Sequence, residues 1–235
     1  MQSPGAPSLV FLAFVLVYLP WAALRSRRRL AELRAEGGAQ RKLTREAVWT
    51  STIVSLLVLL VLAVLVGRSF DYDFFVWPAL DWQAPAATVG AFAACLLLRQ
   101  MARKLRTEEE RRRALVYIIA PRTPRERALW ALACVMAGVA EETAYRGVGM
   151  ATLWYALGNP WASALILAAA FAVAHAAQGW KSALAVFGIA LVMHALVQFT
   201  GSLLPAIVVH ATYDLVAGAI IARDARRMDA EAAAG

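Results

Sequence analysis

Seven stretches of this chain are apolar over most of the width of a bilayer: residues 9–24, 47–66, 84–98, 128–151, 161–178, 182–199 and 203–222. A helix needs ~20 such residues to cross the hydrocarbon core, and in lipid each backbone N–H and C=O has to be bonded inside its own segment. The expected fold is therefore all-α, a polytopic helical membrane protein with about seven transmembrane helices. The third stretch is the shortest. A possible eighth, re-entrant piece around residues 74–80 is interrupted by Pro78 and flanked by Asp73 and Asp81. Composition agrees: 61% of residues are hydrophobic and 17% charged, where soluble domains carry about a quarter charged.

The charges fall between the apolar runs. Arg25, Arg27, Arg28, Arg29, Arg34, Arg41, Lys42 and Arg45 follow the first run, a second basic loop spans 99–127, and the loop at 67–83 has only Arg68 against Asp71, Asp73 and Asp81. By the positive-inside rule both basic loops and the tail with Arg223, Arg226 and Arg227 are cytoplasmic, and the N-terminus is outside. Topology thus accounts for the net charge of +8, and no basic face accompanies a nucleic-acid-binding motif. The first run lacks a basic n-region and meets the arginine cluster at 25–29 instead of a small-residue cleavage site, so it is read as a retained anchor. Cys95 and Cys134 sit in apolar runs and read as small core residues, not a disulfide framework.

Two capping boxes punctuate the second basic loop. Thr107-Glu108-Glu109-Glu110, followed by Glu108/Arg112 and Glu109/Arg113 at i,i+4, predicts a short surface helix. Thr123-Pro124-Arg125-Glu126 predicts the start of the fourth span, with proline in the first turn. The organisation read from this is N-terminal helices and basic loops over 1–124, a helical core over 125–222 and a cytoplasmic tail over 223–235.

Ionisable residues inside the apolar runs carry the functional signal, because each costs ~2.5–3.5 kcal/mol at the bilayer centre. The fourth run contains Glu141-Glu142-Thr143-Ala144-Tyr145-Arg146. Glu142 and Arg146 are i and i+4 with the acid N-terminal, the better orientation for an ion pair. Glu141, ~100° around the helix, has no such intrahelical partner and is the candidate general base. Ala137 and Gly138, one turn earlier, are small enough to admit a neighbouring helix. Phe171 and His175 share one face of the fifth span, and His210 and Asp214 one face of the seventh. His194, with Gln198 one turn later, is read as an interhelical polar contact outside the core site. The plainer alternative for the acids and arginine is a buried packing network.

The ordered set Glu141-Glu142-x-x-x-Arg146-Gly147, Phe171-x-x-x-His175 and His210-x-x-x-Asp214, with Gly201-Ser202-Leu203-Leu204-Pro205 leading into the last, resembles the CPBP family of intramembrane proteases. That family includes the type II CAAX prenyl endopeptidases and bacterial proteins of bacteriocin processing or self-immunity. The resemblance spans roughly 125–222 and leaves the first three spans without a motif. It implies an intramembrane glutamate endopeptidase, in a bacterial cytoplasmic membrane, acting on a membrane-associated protein or peptide that is lipidated in the prenyl-processing members. Glu141 and His175 would activate water, His210 and Asp214 would serve the oxyanion, and Glu142 and Arg146, with Phe171, would support the site. Many members carry asparagine where this chain has Asp214. An ionised aspartate cannot donate to an oxyanion, so either Asp214 is protonated or it orients His210. No cofactor is implied. Two alternatives stand beside this reading. One is a zinc metalloprotease with His175, His210 and a carboxylate as ligands, although the chain lacks His-Glu-x-x-His. The other is a non-enzymatic membrane scaffold or immunity protein.

Overall fold

The computed structural model describes residues 3–35, 44–74, 76–78, 81–107, 109–110 and 114–234. Among them there is no strand. Helix α1 covers 6–35, as Ala6–Ala13, a π-helical turn Phe14–Tyr18 and Leu19–Ala35; α2 is Arg45–Arg68, α3 Gln83–Lys104 and α4 the single turn Leu115–Ile118. Helix α5 covers 124–157 and is made of Pro124–Glu141, a π-helical segment Glu142–Gly149 and Met150–Leu157. Then come α6, Pro160–Ala174, a 3-10 turn Ala176–Gln178, α7, Trp180–Thr200, and α8, Leu204–Ala234.

Local sequence sets these boundaries. The Thr44 hydroxyl accepts from Ala47 N at 3.2 Å and starts α2. Thr123 and Glu126 form the expected reciprocal box at the head of α5, with Pro124 in the first turn. Asn159 Oδ1 accepts from the N–H groups of Trp161 and Ala162, both at 3.0 Å, and starts α6. Gly158 (φ 66°) and Gly201 (φ 63°) end α5 and α7 in the left-handed conformation that a Cβ would disfavour.

Six of the seven apolar stretches fall on long helices, and among the described residues five helices are long and apolar enough to cross a membrane: Ala6–Arg29, Arg45–Arg68, Gln83–Lys104, Trp180–Thr200 and Leu204–Glu231. The third is therefore longer than the sequence suggested, at 22 residues. Helix α6 is apolar but has 15 residues. The fifth stretch was expected to be helical to Gln178; α6 instead stops at Ala174. In the proposed re-entrant piece, residues 74 and 76–78 are not helical, and 75, 79 and 80 lie outside the described residues. Thr107 and Glu110 form their box, with Glu110 N to Thr107 Oγ1 at 3.2 Å and Thr107 N to Glu110 Oε2 at 2.9 Å. The Glu108/Arg112 and Glu109/Arg113 pairs lie outside the described residues.

Helix α2 turns Val54, Leu57, Val58 and Leu65 outward, each at least half exposed, as a lipid-facing surface requires. Its other side packs along α5. Val15, Ala63, Val148, Leu167 and Ala190 join α1, α2, α5, α6 and α7 in one apolar core, and Cys95, Met193, Ala206 and Val209 join α3, α7 and α8 in a second. Both cysteines are free and buried. The close helix approach that the small residues foretold is present at Gly138. A Cβ on Gly138 would lie 3.0 Å from Ala211 N and from Ile207 O, so glycine lets α8 lie directly on α5. That contact sets His210 and Asp214 against the acidic pair.

Candidate active site

Glu141 is the last residue of regular α-helix in α5, and Glu142 opens the π segment. Such wider turns inside α-helices are frequent at functional sites. Gly149 closes the segment, where a Cβ would meet the Ala144 carbonyl oxygen at 2.8 Å. Within it Glu142 is fully buried and Arg146 is 2% exposed. Their expected ion pair is present: Arg146 Nη1 donates to Glu142 Oε1 at 3.2 Å. The guanidinium also donates through Nη2 to the carbonyl of Ala190 at 3.4 Å and lies 4.7 Å from the Phe171 ring centre. The pair therefore ties α5 to α6 and α7.

Glu142 has a second partner that helical spacing does not reveal. Its Oε1 is 2.7 Å from His210 Nδ1, across 68 residues of sequence. A carboxylate paired with arginine is an acceptor, so Nδ1 carries the proton and donates. The other nitrogen, Nε2, lies 3.7 Å from Glu141 Oε2 and 3.6 Å from Asp214 Oδ2. His210 thus sits among three carboxylates, with one nitrogen committed and one directed at the other two. The side chains of Glu141 and Asp214 are 16% and 34% exposed, which puts Asp214 on the more open side.

Because α6 stops at Ala174, His175 is its C-cap, at φ −95° and ψ 7°, in the bridge region where many active-site residues sit. His175 Nδ1 is 2.8 Å from the Phe171 carbonyl oxygen. A carbonyl only accepts, so Nδ1–H donates and the Nε2 lone pair is left for other chemistry. Phe171 is the wedge of the site: its ring centre is 4.4 Å from His175, 4.9 Å from Tyr145 and 6.4 Å from His210.

Glu141, Arg146, Phe171, His175, His210 and Asp214 all line one cavity of about 390 Å³. Glu142 lies fully buried behind it. His194 is 2% exposed and is absent from the cavity lining. Sequence reasoning missed the opposite wall, to which α2 gives Trp49 and Leu56, α3 gives Arg99 and Arg103, and α4 gives Tyr117. No motif marks those residues. The donors named for zinc, His175, His210 and a carboxylate, share the cavity, but no group of three or more His, Cys, Asp or Glu among the described residues is arranged to hold a metal ion.

Residues 123–216 match the family described as Type II CAAX prenyl endopeptidase Rce1-like. The matched stretch begins at the Thr123 cap, ends two residues beyond Asp214, and contains Glu141, Glu142, Arg146, Phe171, His175, His210 and Asp214. No curated protein and no solved structure matches the chain. The match supports an endopeptidase of the CAAX type, embedded in the membrane and acting on a membrane-associated substrate. Over its helical core, residues 123–216, the chain is similar to the Rce1-like type II CAAX prenyl endopeptidase family.

Proposed function

We propose that the protein is a glutamate-type intramembrane endopeptidase that hydrolyses a peptide bond with Glu141 and His175 as its water-activating pair, without metal. The observation that carries this reading is the convergence of Glu141, His175, His210 and Asp214 on one cavity, with the hydrogen-bonding state of each imidazole fixed from behind. A water held by the Glu141 carboxylate and His175 Nε2 gives a proton to Glu141 as its oxygen attacks the carbonyl carbon, and the proton then goes to the leaving amine. His210, whose Nδ1–H is committed to Glu142, donates from Nε2 to the oxyanion only as an imidazolium. Asp214 Oδ2, 3.6 Å from Nε2, orients that ring or, when protonated, donates beside it. The basic loops face the cytoplasm in this reading, and labelling of a cysteine placed at Gln40 by an impermeant reagent outside intact cells would overturn that orientation.

The test is cleavage of an S-farnesylated peptide ending in Cys-Val-Ile-Ala by purified protein in detergent, with metal content measured on the same sample. Cleavage that is absent in Glu141→Gln and survives chelation supports the proposal. Zinc at one ion per chain that leaves with activity, and restores it on return, promotes the metalloprotease reading. Absence of turnover toward this peptide and toward the membrane proteome promotes the scaffold reading.

A further inference from the structure

The cavity extends past the four site residues along α3, where Arg99, Arg103 and, just beyond the helix end, Arg106 line it. Each guanidinium is held at a different level. Arg99 Nη2 reaches the Ala217 carbonyl at 3.5 Å, Arg103 pairs with Asp224 at 3.2 Å, and Arg106 donates to the Gln178 carbonyl at 3.2 Å and to the Ser182 hydroxyl. On α8, Ala217 follows Asp214 by three residues, a rise of ~4.5 Å, and Asp224 by ten, a rise of ~15 Å. Arg99 is therefore the cation of this row nearest the site. Among the described residues it has no ion pair, and its bond to Ala217 is at the long limit for a hydrogen bond. Arg103 also holds a buried Nε without a hydrogen-bond partner. The row thus has donors to spare, facing a cavity that otherwise holds a peptidase constellation.

Planar guanidinium groups with spare donors bind carboxylates in a charge-assisted, often bidentate manner. A peptide laid along α8 from the site advances at most ~3.3–3.6 Å per residue. A chain end up to three residues past the scissile bond then falls between the levels of Arg99 and Arg103. We propose that Arg99 is a specificity-determining residue that binds the C-terminal carboxylate of the substrate, in a subsite bounded on its outer side by the Arg103–Asp224 pair. The direction assigned to the peptide rests on the peptidase reading above.

The experiment compares two forms of the farnesylated peptide, one ending in a free carboxylate and one in a carboxamide. Wild type is expected to show a KM about tenfold lower for the acid, the size of one charge-assisted pair. Arg99→Gln should raise the acid's KM to that of the amide, leave the amide's KM unchanged and alter kcat little, and Arg99→Lys should recover part of the preference. Unchanged handling of the amide is the internal control for folding. Equal treatment of acid and amide by wild type, or an Arg99→Gln defect of the same size on both, overturns the proposal; the second outcome is what a lipid phosphate at Arg99 would give. Affinities of both peptides for Glu141→Gln, with and without Arg99→Gln, keep the two readings apart. An Arg99-dependent preference for the acid without cleavage by wild type would retain the subsite and remove the peptidase.

Discussion

The two halves of the molecule use the same apolar material for different ends. In α5, α6 and α8 the hydrophobic packing encloses a network that costs energy to bury: Glu142 at 0% exposure, Arg146 at 2%, and His210 bonded to the first of them. Among the described residues, helices α1 to α3 bury no comparable network, and α2 presents Leu57, Val58 and Leu65 outward. Yet α2 and α3 form the wall that faces the acids and histidines, through Trp49, Leu56, Arg99 and Arg103. The match to the endopeptidase family stops short of this wall, covering 123–216 only. In the proposed reading, the difference teaches that the groups for chemistry and the groups that admit a substrate are carried by separate helices. The reaction can then stay constant while the approach to it changes.

The largest expected contrast is in rate. Glu141→Gln and His175→Ala should each lower turnover by about 10²–10⁴-fold, the range for loss of general acid or base catalysis, and the double variant should lose little more because the two act as one unit. Trp49→Phe, on the facing wall, should change turnover by less than about tenfold, since it keeps an aromatic ring and touches no reacting atom. Single-turnover cleavage in detergent measures all four proteins. A Trp49→Phe defect as deep as that of Glu141→Gln, in folded protein, would break the division between chemistry and access.

Next in size is stability. Glu142→Ala or Arg146→Ala leaves an uncompensated charge in a dry interior and should cost ~3–5 kcal/mol. Thermal unfolding in detergent reports it, and Glu141→Gln should unfold close to wild type. An ion pair that joins the two halves at the surface, Arg125 with Glu46 at 3.6 Å, has side chains 78% and 42% exposed. Removing it should cost no more than ~1 kcal/mol. A surface pair that proved as costly as the buried one would mean that the halves are held together by their exposed rim and not by their packed cores.

How much of this was legible in the sequence depended on the range of the interaction. Local rules reached the Thr123 capping box and the Glu142–Arg146 pair, because each depends on neighbours within about one turn of helix, and the small size of Gly138 signalled a close neighbour without naming it. The order of the motifs reached the set Glu141, His175, His210 and Asp214 through resemblance, and the fold brings all four to one cavity. The bond from Glu142 to His210 was out of reach, since no periodicity links residues 68 apart. The early end of α6 was hidden for another reason: Ala176 and Ala177 are good helix formers, and the stop is made by His175 bonding back to Phe171 O and by Gly179 at φ 95°. Arg99 read only as part of a basic loop. Topology explained its charge, so nothing pointed to a cavity.

The smallest contrast is the most direct, because one substitution should act with opposite sign in the two halves. Gly90 lies inside α3, and a Cβ there would meet nothing within 4 Å. Gly90→Ala should raise stability by up to ~1 kcal/mol, the difference in helix propensity. In Gly138→Ala the same propensity gain is opposed by contacts at 3.0 Å with Ala211 N and Ile207 O, backbone atoms of α8 that no rotamer change can move away. Overpacking of this kind costs ~1–3 kcal/mol, so the net effect should be a loss of about 1 kcal/mol. Moving α8 outward also moves His210 away from Glu142, so Gly138→Ala should slow cleavage while Gly90→Ala leaves it unchanged. Unfolding midpoints and cleavage rates of the two variants, measured in the same detergent, decide the matter. A Gly138→Ala protein as stable and as active as wild type would show that α5 and α8 have slack where they are placed in contact.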